Sequence, residues 1–353
     1  MNLIAVGINH KTAPIDTREK FYLDETRREF LLSTLHSNPS VIEAIVLSTC
    51  NRTEIYASTI SGDAADLLLK PLFRIKNLPL IPGLKKHFYR YDEQEAIRHF
   101  LNVCAGLDSI VFGERQILGQ VKTAIDLSRK RGMLGKCFNV LSGIAIRAGK
   151  KAQSETQISY GGVSVSWAAV TIAKRMLGTF QNKSFLIIGA GKMGHLAAGH
   201  LKNKGAKYIY IMNRSKEKAE QLARKFDGTP VSFWDIKEIL KEVDVCICSA
   251  GAPHYLIERD LLEKVMATHQ KKKLLCVDIS IPRNIEPTVS SLNNVSLVTI
   301  DDLGDVVAAN MAKRYSAVSQ VEAIITAKIE EYYNKISKIR SCERTGSYAP
   351  VSA

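Results

Sequence analysis

With 46% hydrophobic and 24% charged residues, a chain of 353 residues is expected to fold as a globular protein around two or three cores. No apolar stretch approaches the about 18 residues that span a bilayer, and Met1–Gly7 carries neither a basic leader nor a cleavage site, so neither an anchor nor a secretory signal is expected and the location follows as cytoplasmic. The formal net charge of +14 suits either a polyanion held through its phosphates or a solvated lysine-rich surface.

Apolar alternation predicts strands at Leu3–Ile8, Ile42–Leu47, Glu54–Ser58 and His87–Tyr91, with helical patterns between them. That is an α+β unit with a small, mainly antiparallel sheet, taken as 1–158. Asp92 reads as a helix N-cap with Glu95 three residues on, and Ile97, Phe100, Leu101 and Cys104 form the stripe of the helix that follows. Glycines at Gly132, Gly135, Gly143 and Gly161-Gly162 punctuate the helical stretch leading out of the unit.

Over 159–300 a helix-like Val163–Leu177 precedes a strand at Phe185–Ile188, a glycine loop, a helix and a strand at Tyr208–Met212. Further strands are predicted at Asp244–Cys248, Leu274–Asp278 and Ser296–Ile300, an alternation that marks a doubly wound parallel sheet. From Asp301, Val307, Met311, Tyr315, Val318, Val321, Ile325, Ile329, Tyr332 and Ile336 recur at steps of three or four. They predict one helix of about 36 residues, about 50 Å long, within the segment 301–340, whose stripe packs on its own domains or on a partner. The polar tail 341–353 is expected to be disordered.

Gly189-Ala190-Gly191-Lys192-Met193-Gly194 matches G-x-G-x-x-G between a predicted strand and helix, which is where a dinucleotide pyrophosphate is cradled. The next strand ends about 20 residues on, at the position that reads the ribose. It offers Asn213, Arg214, Ser215, Lys216 and Lys218 where an NAD enzyme offers a carboxylate, so NADPH is favoured over NADH.

Seven cysteines form no Cys-x-x-Cys pair and have no clustered histidines, so no metal and no disulfide framework is expected. Cys104, Cys246, Cys248 and Cys276 sit in apolar surroundings, whereas Cys50 sits in the turn Thr49-Cys50-Asn51-Arg52 between two predicted strands, presented rather than packed. A free thiol has a pKa near 8.5, and Arg52 can either lower it or grip a substrate carboxylate in a bidentate pair. His99, opposite the stripe of its helix, reads as an exposed surface histidine or as a proton donor near the thiol. Ser109, Glu114, Arg115, Gln116 and Gln120 lie among glycines in Gly106–Gln120, where such groups cap a helix or bind an ammonium and a carboxylate.

These motifs, together with Gly7–Pro14, Ser48–Glu54, Val277–Ile285 and Ile300–Leu303, resemble the glutamyl-tRNA reductase family from residue 1 to about 335. The resemblance implies an α/β multidomain protein: an N-terminal catalytic domain, a Rossmann-type NADP-binding domain and a long spinal helix. It implies NADPH-dependent reduction of glutamyl-tRNA to glutamate-1-semialdehyde for tetrapyrrole synthesis, with release of the tRNA. By the same resemblance Cys50 is the nucleophile that forms a thioester. Thr49–Arg52, Ser109, Glu114–Gln116 and Gln120 hold the glutamate, His99 is important for activity, and Gly189–Gly194 hold NADP. Glutamyl-tRNA is then the partner, and an aminomutase receiving the aldehyde is a second.

Two positions depart from the family pattern. Arg115 stands where a proline is usual, so a different local turn is expected, and the chain stops soon after the long helix where most members continue into a helical dimerisation domain. Two other readings fit parts of the sequence: an NADP-dependent dehydrogenase of a small hydroxy acid, and a basic tRNA-binding regulatory protein. The thiol turn and the glycine loop occurring together argue against both.

Overall fold

A computed structural model describes residues 2–60, 64–111, 113–159, 164–268, 273–303 and 315–345. Gly161-Gly162, Val307, Met311 and Phe112 of the predicted patterns lie outside the described residues. Two compact units separate, 1–161 with 312–353, and 162–311.

The first unit runs β1 (Asn2–Asn9), α1 (Ile15–Phe21), α2 (Glu25–His36), β2 (Val41–Ser48), β3 (Arg52–Thr59), α3 (Ala65–Ile75), α4 (Pro82–Lys85), β4 (Tyr89–Asp92), α5 (Glu93–Ala105), α6 (Gln116–Lys130) and α7 (Lys136–Glu155). Its sheet has the order β2-β3-β1-β4 with every neighbour antiparallel. Both faces are buried. Ile4, Val6, Ile8, Val46, Ile55 and Ala57 face the core shared with Phe21, Leu31, Leu32 and Phe73, while Leu3, Ala5, Ile45, Leu47 and Tyr56 face Phe100, Leu141 and Ile144. Two-sided burial is why these strands read as near-continuous apolar runs.

Asp92 does occupy the N-cap of α5, but its carboxylate makes no capping bond, being held by Arg90 Nε at 2.9 and 3.0 Å. The long C-terminal helix α13 is described over Tyr315–Thr345 and belongs to the first unit. The predicted start is corrected in part, because Asp301–Leu303 form a 3-10 turn, and so is the predicted tail, because helix continues through Ser341–Thr345. The stripe packs on the chain's own helices: Ala317, Val321, Ile325, Ile329, Tyr332 and Ile336 join the core of α5 and α7. Ala317 takes the buried place predicted for Val318, which is only half-buried.

The second unit runs α8 (Val165–Leu177), β5 (Ser184–Ile188), α9 (Lys192–Asn203), β6 (Tyr208–Met212), α10 (Lys216–Phe226), β7 (Thr229–Val231), α11 (Ile236–Glu242), β8 (Val245–Cys248), α12 (Arg259–Thr268), β9 (Leu274–Asp278) and β10 (Val295–Thr299). Its sheet is parallel throughout, in the order β10-β9-β8-β5-β6-β7. The short edge strand β7, centred on Pro230, carries too little apolar pattern to be read from sequence. No helix among the described residues is long and apolar enough to cross a membrane.

Candidate active site and nucleotide loop

The register of the first sheet builds a polar cluster at one end of one face. Residues two apart on a strand share a face, so Arg52, Glu54 and Tyr56 of β3 lie beside Asn9, Gly7 and Ala5 of β1. Gly7 also pairs with Tyr89 of β4. A Cβ on Gly7 would stand 2.7 Å from Glu54 Cγ and 2.9 Å from Tyr89 Oη, so the glycine is what lets these two side chains meet across the strand between them.

Glu54 is the hub. Its carboxylate accepts hydrogen bonds from Arg52 Nη1 at 2.6 Å, His99 Nε2 at 2.9 Å, Tyr56 Oη at 2.5 Å and Tyr89 Oη. Arg52 also donates to Asp108 Oδ2 at 2.9 Å and to the Asp108 carbonyl, and Lys11 closes on the other Asp108 oxygen. Burial opposes the charge on Glu54, but the Arg52 guanidinium and His99 outweigh it and hold the carboxyl well below its usual range. Glu54, His99 and Asp108 have ligand atoms within 4.8 Å of one another, a spacing a metal ion would also use, but the cation among them here is the guanidinium.

The β2–β3 turn rises from this cluster. Thr49 N donates to Arg52 O at 2.8 Å, and Asn51 N donates to Thr49 Oγ1 at 3.1 Å. His10 N donates to Asn51 O at 3.2 Å, and Arg18 Nη1 to the Cys50 carbonyl at 3.1 Å. The turn is therefore fixed from beneath, and Cys50 is half-buried at its tip. Burial pushes its thiol up to about 12, the Glu114 carboxylate adds to the rise, and Arg18 and Arg52 only partly oppose it. The loop from α5 to α6 brings Glu114 here. Gly106 ends α5 with φ +79, Gly113 has φ +77, and Gly113 N donates to the Gly106 carbonyl at 2.9 Å. Gln116 is buried with its Nε2 unpaired, and His10 Nδ1 is likewise buried and unpaired.

In the second unit the glycines have separate reasons. A Cβ on Gly194 would lie 1.8 Å from the Gly189 carbonyl oxygen, so the loop closes only on glycine. Gly191, the N-cap of α9, has no capping side chain, and a Cβ there would meet nothing within 4 Å. Open space over an uncapped helix N-terminus fits a pyrophosphate. Asn213 Oδ1 accepts from Ala190 N at 3.1 Å, tying the end of β6 to the loop, and Ser166 Oγ donates to the Met193 carbonyl at 2.9 Å.

Residues 6–156 match the family model described as the N-terminal domain of glutamyl-tRNA(Glu) reductase, and residues 171–306 match the one described as shikimate / quinate 5-dehydrogenase. The glutamyl-tRNA reductase of Citrifermentans bemidjiense is 39% identical over 341 residues, covering 96% of this chain and 78% of its own. That of Solibacter usitatus is 38% identical over 331 residues, covering 94% and 78%. The chain belongs to the glutamyl-tRNA reductase family. Among solved structures, the glutamyl-tRNA reductase from Methanopyrus kandleri is 32% identical, covers 96% of this chain and 81% of that one, and superposes with a TM-score of 0.53. The protein is accordingly an oxidoreductase whose second unit is a dehydrogenase-type nucleotide-binding domain.

Several sequence expectations within this reductase fold are corrected. Arg52 is not free to grip a substrate carboxylate, because its side chain is 1% exposed and two protein carboxylates already engage it. It does not leave the Cys50 thiol acidic, because burial and Glu114 prevail. His99 is not a surface histidine; it is buried, bonded to Glu54 and packed against the rings of Tyr56, Tyr89 and Tyr91. Arg115 has φ −70, a value that a proline ring would also allow. Ser109 is half-buried, and Arg115 and Gln120 are exposed. Ser215 Oγ caps α10 by accepting from Lys218 N at 3.3 Å and donates to Glu217 at 2.7 Å. Tyr56, Tyr89, Asp108 and Lys11 were not singled out as site residues. Two signals pointed to them: an isolated glycine in a strand, and Arg52, Glu54 and Tyr56 alternating on one face.

Proposed function

We propose that this protein reduces glutamyl-tRNA(Glu) to glutamate-1-semialdehyde with NADPH, releasing the tRNA, as the first step of tetrapyrrole synthesis by the five-carbon route. The observation that carries this reading is a partly exposed thiol on a turn pinned by Arg18 and His10, beside a buried acid–base cluster, in a chain that also has a glycine loop fit for a dinucleotide. Residues 1–158 then form the catalytic domain and 159–300 the NADPH domain. The reaction belongs in the cytoplasm, with an aminomutase as the recipient of the aldehyde.

Cys50 Sγ bonds to the carbonyl carbon of the glutamyl ester. The bond from that carbon to the terminal ribose oxygen breaks, and the thiol proton ends on the departing hydroxyl, leaving a glutamyl thioester. A thioester accepts hydride more readily than an ester, which is the reason for a sulfur nucleophile. NADPH, when bound, supplies the hydride. Cys50 then leaves the collapsing tetrahedral centre and takes up a proton as the free aldehyde departs.

The resting thiol is held protonated, chiefly by burial and by Glu114. The substrate ammonium pairing with Glu114 removes that carboxylate's opposition, so arrival of the correct amino acid activates the sulfur. The unpaired Gln116 Nε2 is a donor suited to the substrate carboxylate, and Thr49, Asn51, Ser109, Arg115 and Gln120 complete the proposed substrate-binding set. Arg52 acts as an internal cation that positions Asp108 and Glu54. Glu54 fixes Nε2 of His99 as its donating nitrogen, so His99 takes or gives protons through Nδ1. Gly189–Gly194 would hold the pyrophosphate, and Asn213, Arg214, Ser215 and Lys218 would bind the adenosine ribose and its phosphate. The test is NADPH consumption with charged against uncharged tRNA(Glu): oxidation only with the charged form supports the reading, and equal oxidation with both sinks it.

A further inference from the structure

The first unit carries a groove of about 610 Å³ between α2 and α3, the helices that cover the sheet face opposite the acid–base cluster. Phe30, Pro71 and Ile75 give it an apolar lining, and Arg27, Arg74 and Asn77 a polar one. Among the described residues no carboxylate lines it. The buried stripe of α2 is Leu31, Leu32 and Leu35, which leaves Phe30 off the core and 63% exposed. It is the most exposed aromatic ring of this unit among the described residues. Arg74 is exposed, and its side chain makes no ion pair or hydrogen bond with any described residue. Arg27 reaches Asp24 at 2.9 Å, in a solvent-exposed pair that water screens.

Short links join this groove to the thiol turn. Lys76, between the lining residues Ile75 and Asn77, donates from Nζ to the Tyr22 carbonyl at 2.9 Å. Leu23 N donates to Ser48 Oγ at 2.9 Å, and Ser48 ends β2 immediately before Thr49. The Tyr22 hydroxyl has its pKa raised chiefly by burial, and the charges it feels are those of Arg28, Asp24 and Cys50. Arg28 Nε is buried without a hydrogen-bond partner. Arg28, Lys76, Arg27 and Arg74 thus run from the neighbourhood of the sulfur to the groove, and Asp24 is the one carboxylate in these contacts. Such a row of cations ending at an open aromatic ring matches an unpaired RNA strand, which offers one phosphate and one stacking face per nucleotide.

We propose that the groove between α2 and α3 seats the unpaired 3′ end of the tRNA, with one base stacked on Phe30 and the strand's phosphates held by Arg74 and Arg27. Arg28 serves the stretch of strand between the groove and Cys50. The inference rests on the glutamyl-tRNA reading above and adds where the nucleic acid is gripped. A stacked base is read by its face and not by its edge, so this grip serves any base placed there.

The test is binding of the full chain to uncharged tRNA(Glu), intact and lacking its terminal CCA trinucleotide, followed by fluorescence anisotropy. Phe30→Ala is expected to weaken intact tRNA about tenfold, the loss of one stacked base, and to leave the truncated tRNA unchanged. Arg74→Gln should lower the slope of log affinity against log salt by about 0.7 for intact tRNA alone, the loss of one contact to a single-strand phosphate. Lys130→Gln, which removes an exposed cation at the end of α6, should not distinguish the two RNAs. Equal losses with both RNAs, the same loss from Lys130→Gln, or no loss from Phe30→Ala would overturn the seat. Unchanged RNA binding by Phe30→Ala with a loss of self-association in sedimentation would overturn it too, in favour of a contact between copies of the chain. A wild-type protein that binds both RNAs alike would overturn the seat alone, and one that binds neither would overturn the glutamyl-tRNA reading itself.

Discussion

The most exposed consequence of this geometry concerns how slowly Cys50 reacts at rest. A thiol pushed up to about 12 is thiolate in about one part in ten thousand at pH 8, whereas an exposed thiol near 8.5 is about one quarter ionised. The more basic thiolate is intrinsically the better nucleophile, with a Brønsted coefficient of about 0.4–0.5, which recovers about 40-fold of that deficit. Cys50 should therefore exchange with an aromatic disulfide reagent about 50- to 100-fold more slowly than a model thiol. Its rate should climb about tenfold per pH unit from 7 to 10 without a plateau. Peptide mass mapping separates Cys50 from the other cysteines. Glu114→Gln, which deletes the largest opposing charge, should raise the rate at any fixed pH in that range. A rate that levels off below pH 9, or that Glu114→Gln does not change, would refute substrate-assisted activation of the sulfur.

Three further outcomes follow from the two sites. Glu54→Gln breaks a buried charged network and should lower the stability of the first unit by about 3–5 kcal/mol in urea unfolding. Because the folded pKa of Glu54 lies below its unfolded value of 4.5, the wild type has this stability above pH 4.5 and loses it as the pH falls further, whereas the variant should lack that acid-side slope. The His10 imidazole is driven down to about 4, first by burial and then by Arg52, so the unfolded chain binds the extra proton between pH 6.5 and 4. Wild-type stability should fall across that window as acid is added, and His10→Gln should flatten the fall when the unfolding midpoint is followed against pH. Gly194→Ala should destabilise the second unit, since its Cβ meets the Gly189 carbonyl oxygen, while Gly191→Ala should keep stability yet weaken NADPH at least tenfold by filling the open space over the helix. Fluorescence titration of bound NADPH, alongside thermal melts, separates the two effects.

The second unit was the more legible of the two. Strands buried on both faces and alternating with helices leave a periodic signal, and Gly189–Gly194 fell where that signal put them. The edge strand at Thr229–Val231 was too short and too polar to register. In the first unit the thiol turn was visible, because a polar tetrapeptide separates two apolar runs. The charge state of that turn was not visible. Arg52 next to Cys50 in sequence suggests an acidified thiol, but alternation turns Arg52 down into the sheet face beside Glu54, and Asp108 arrives there from a position 56 residues away. The surface alternative for His99 fails for a related reason. Its helix presents a second buried face, against the tyrosines of β3 and β4, which a single apolar stripe does not reveal. Long-range polar contacts leave no periodicity, so the side chains that decide the chemistry were the hardest to read.

The most direct measurement is incubation of the protein with tRNA(Glu) charged with radiolabelled glutamate, in the absence of NADPH, followed by denaturation and counting of protein-bound label. The wild type should carry label on Cys50 that is released by hydroxylamine, as a thioester is, and Cys50→Ser should carry none and produce no aldehyde when NADPH is added. Label retained by Cys50→Ser, or aldehyde formed by it near the wild-type rate, would contradict transfer of the glutamyl group to that sulfur.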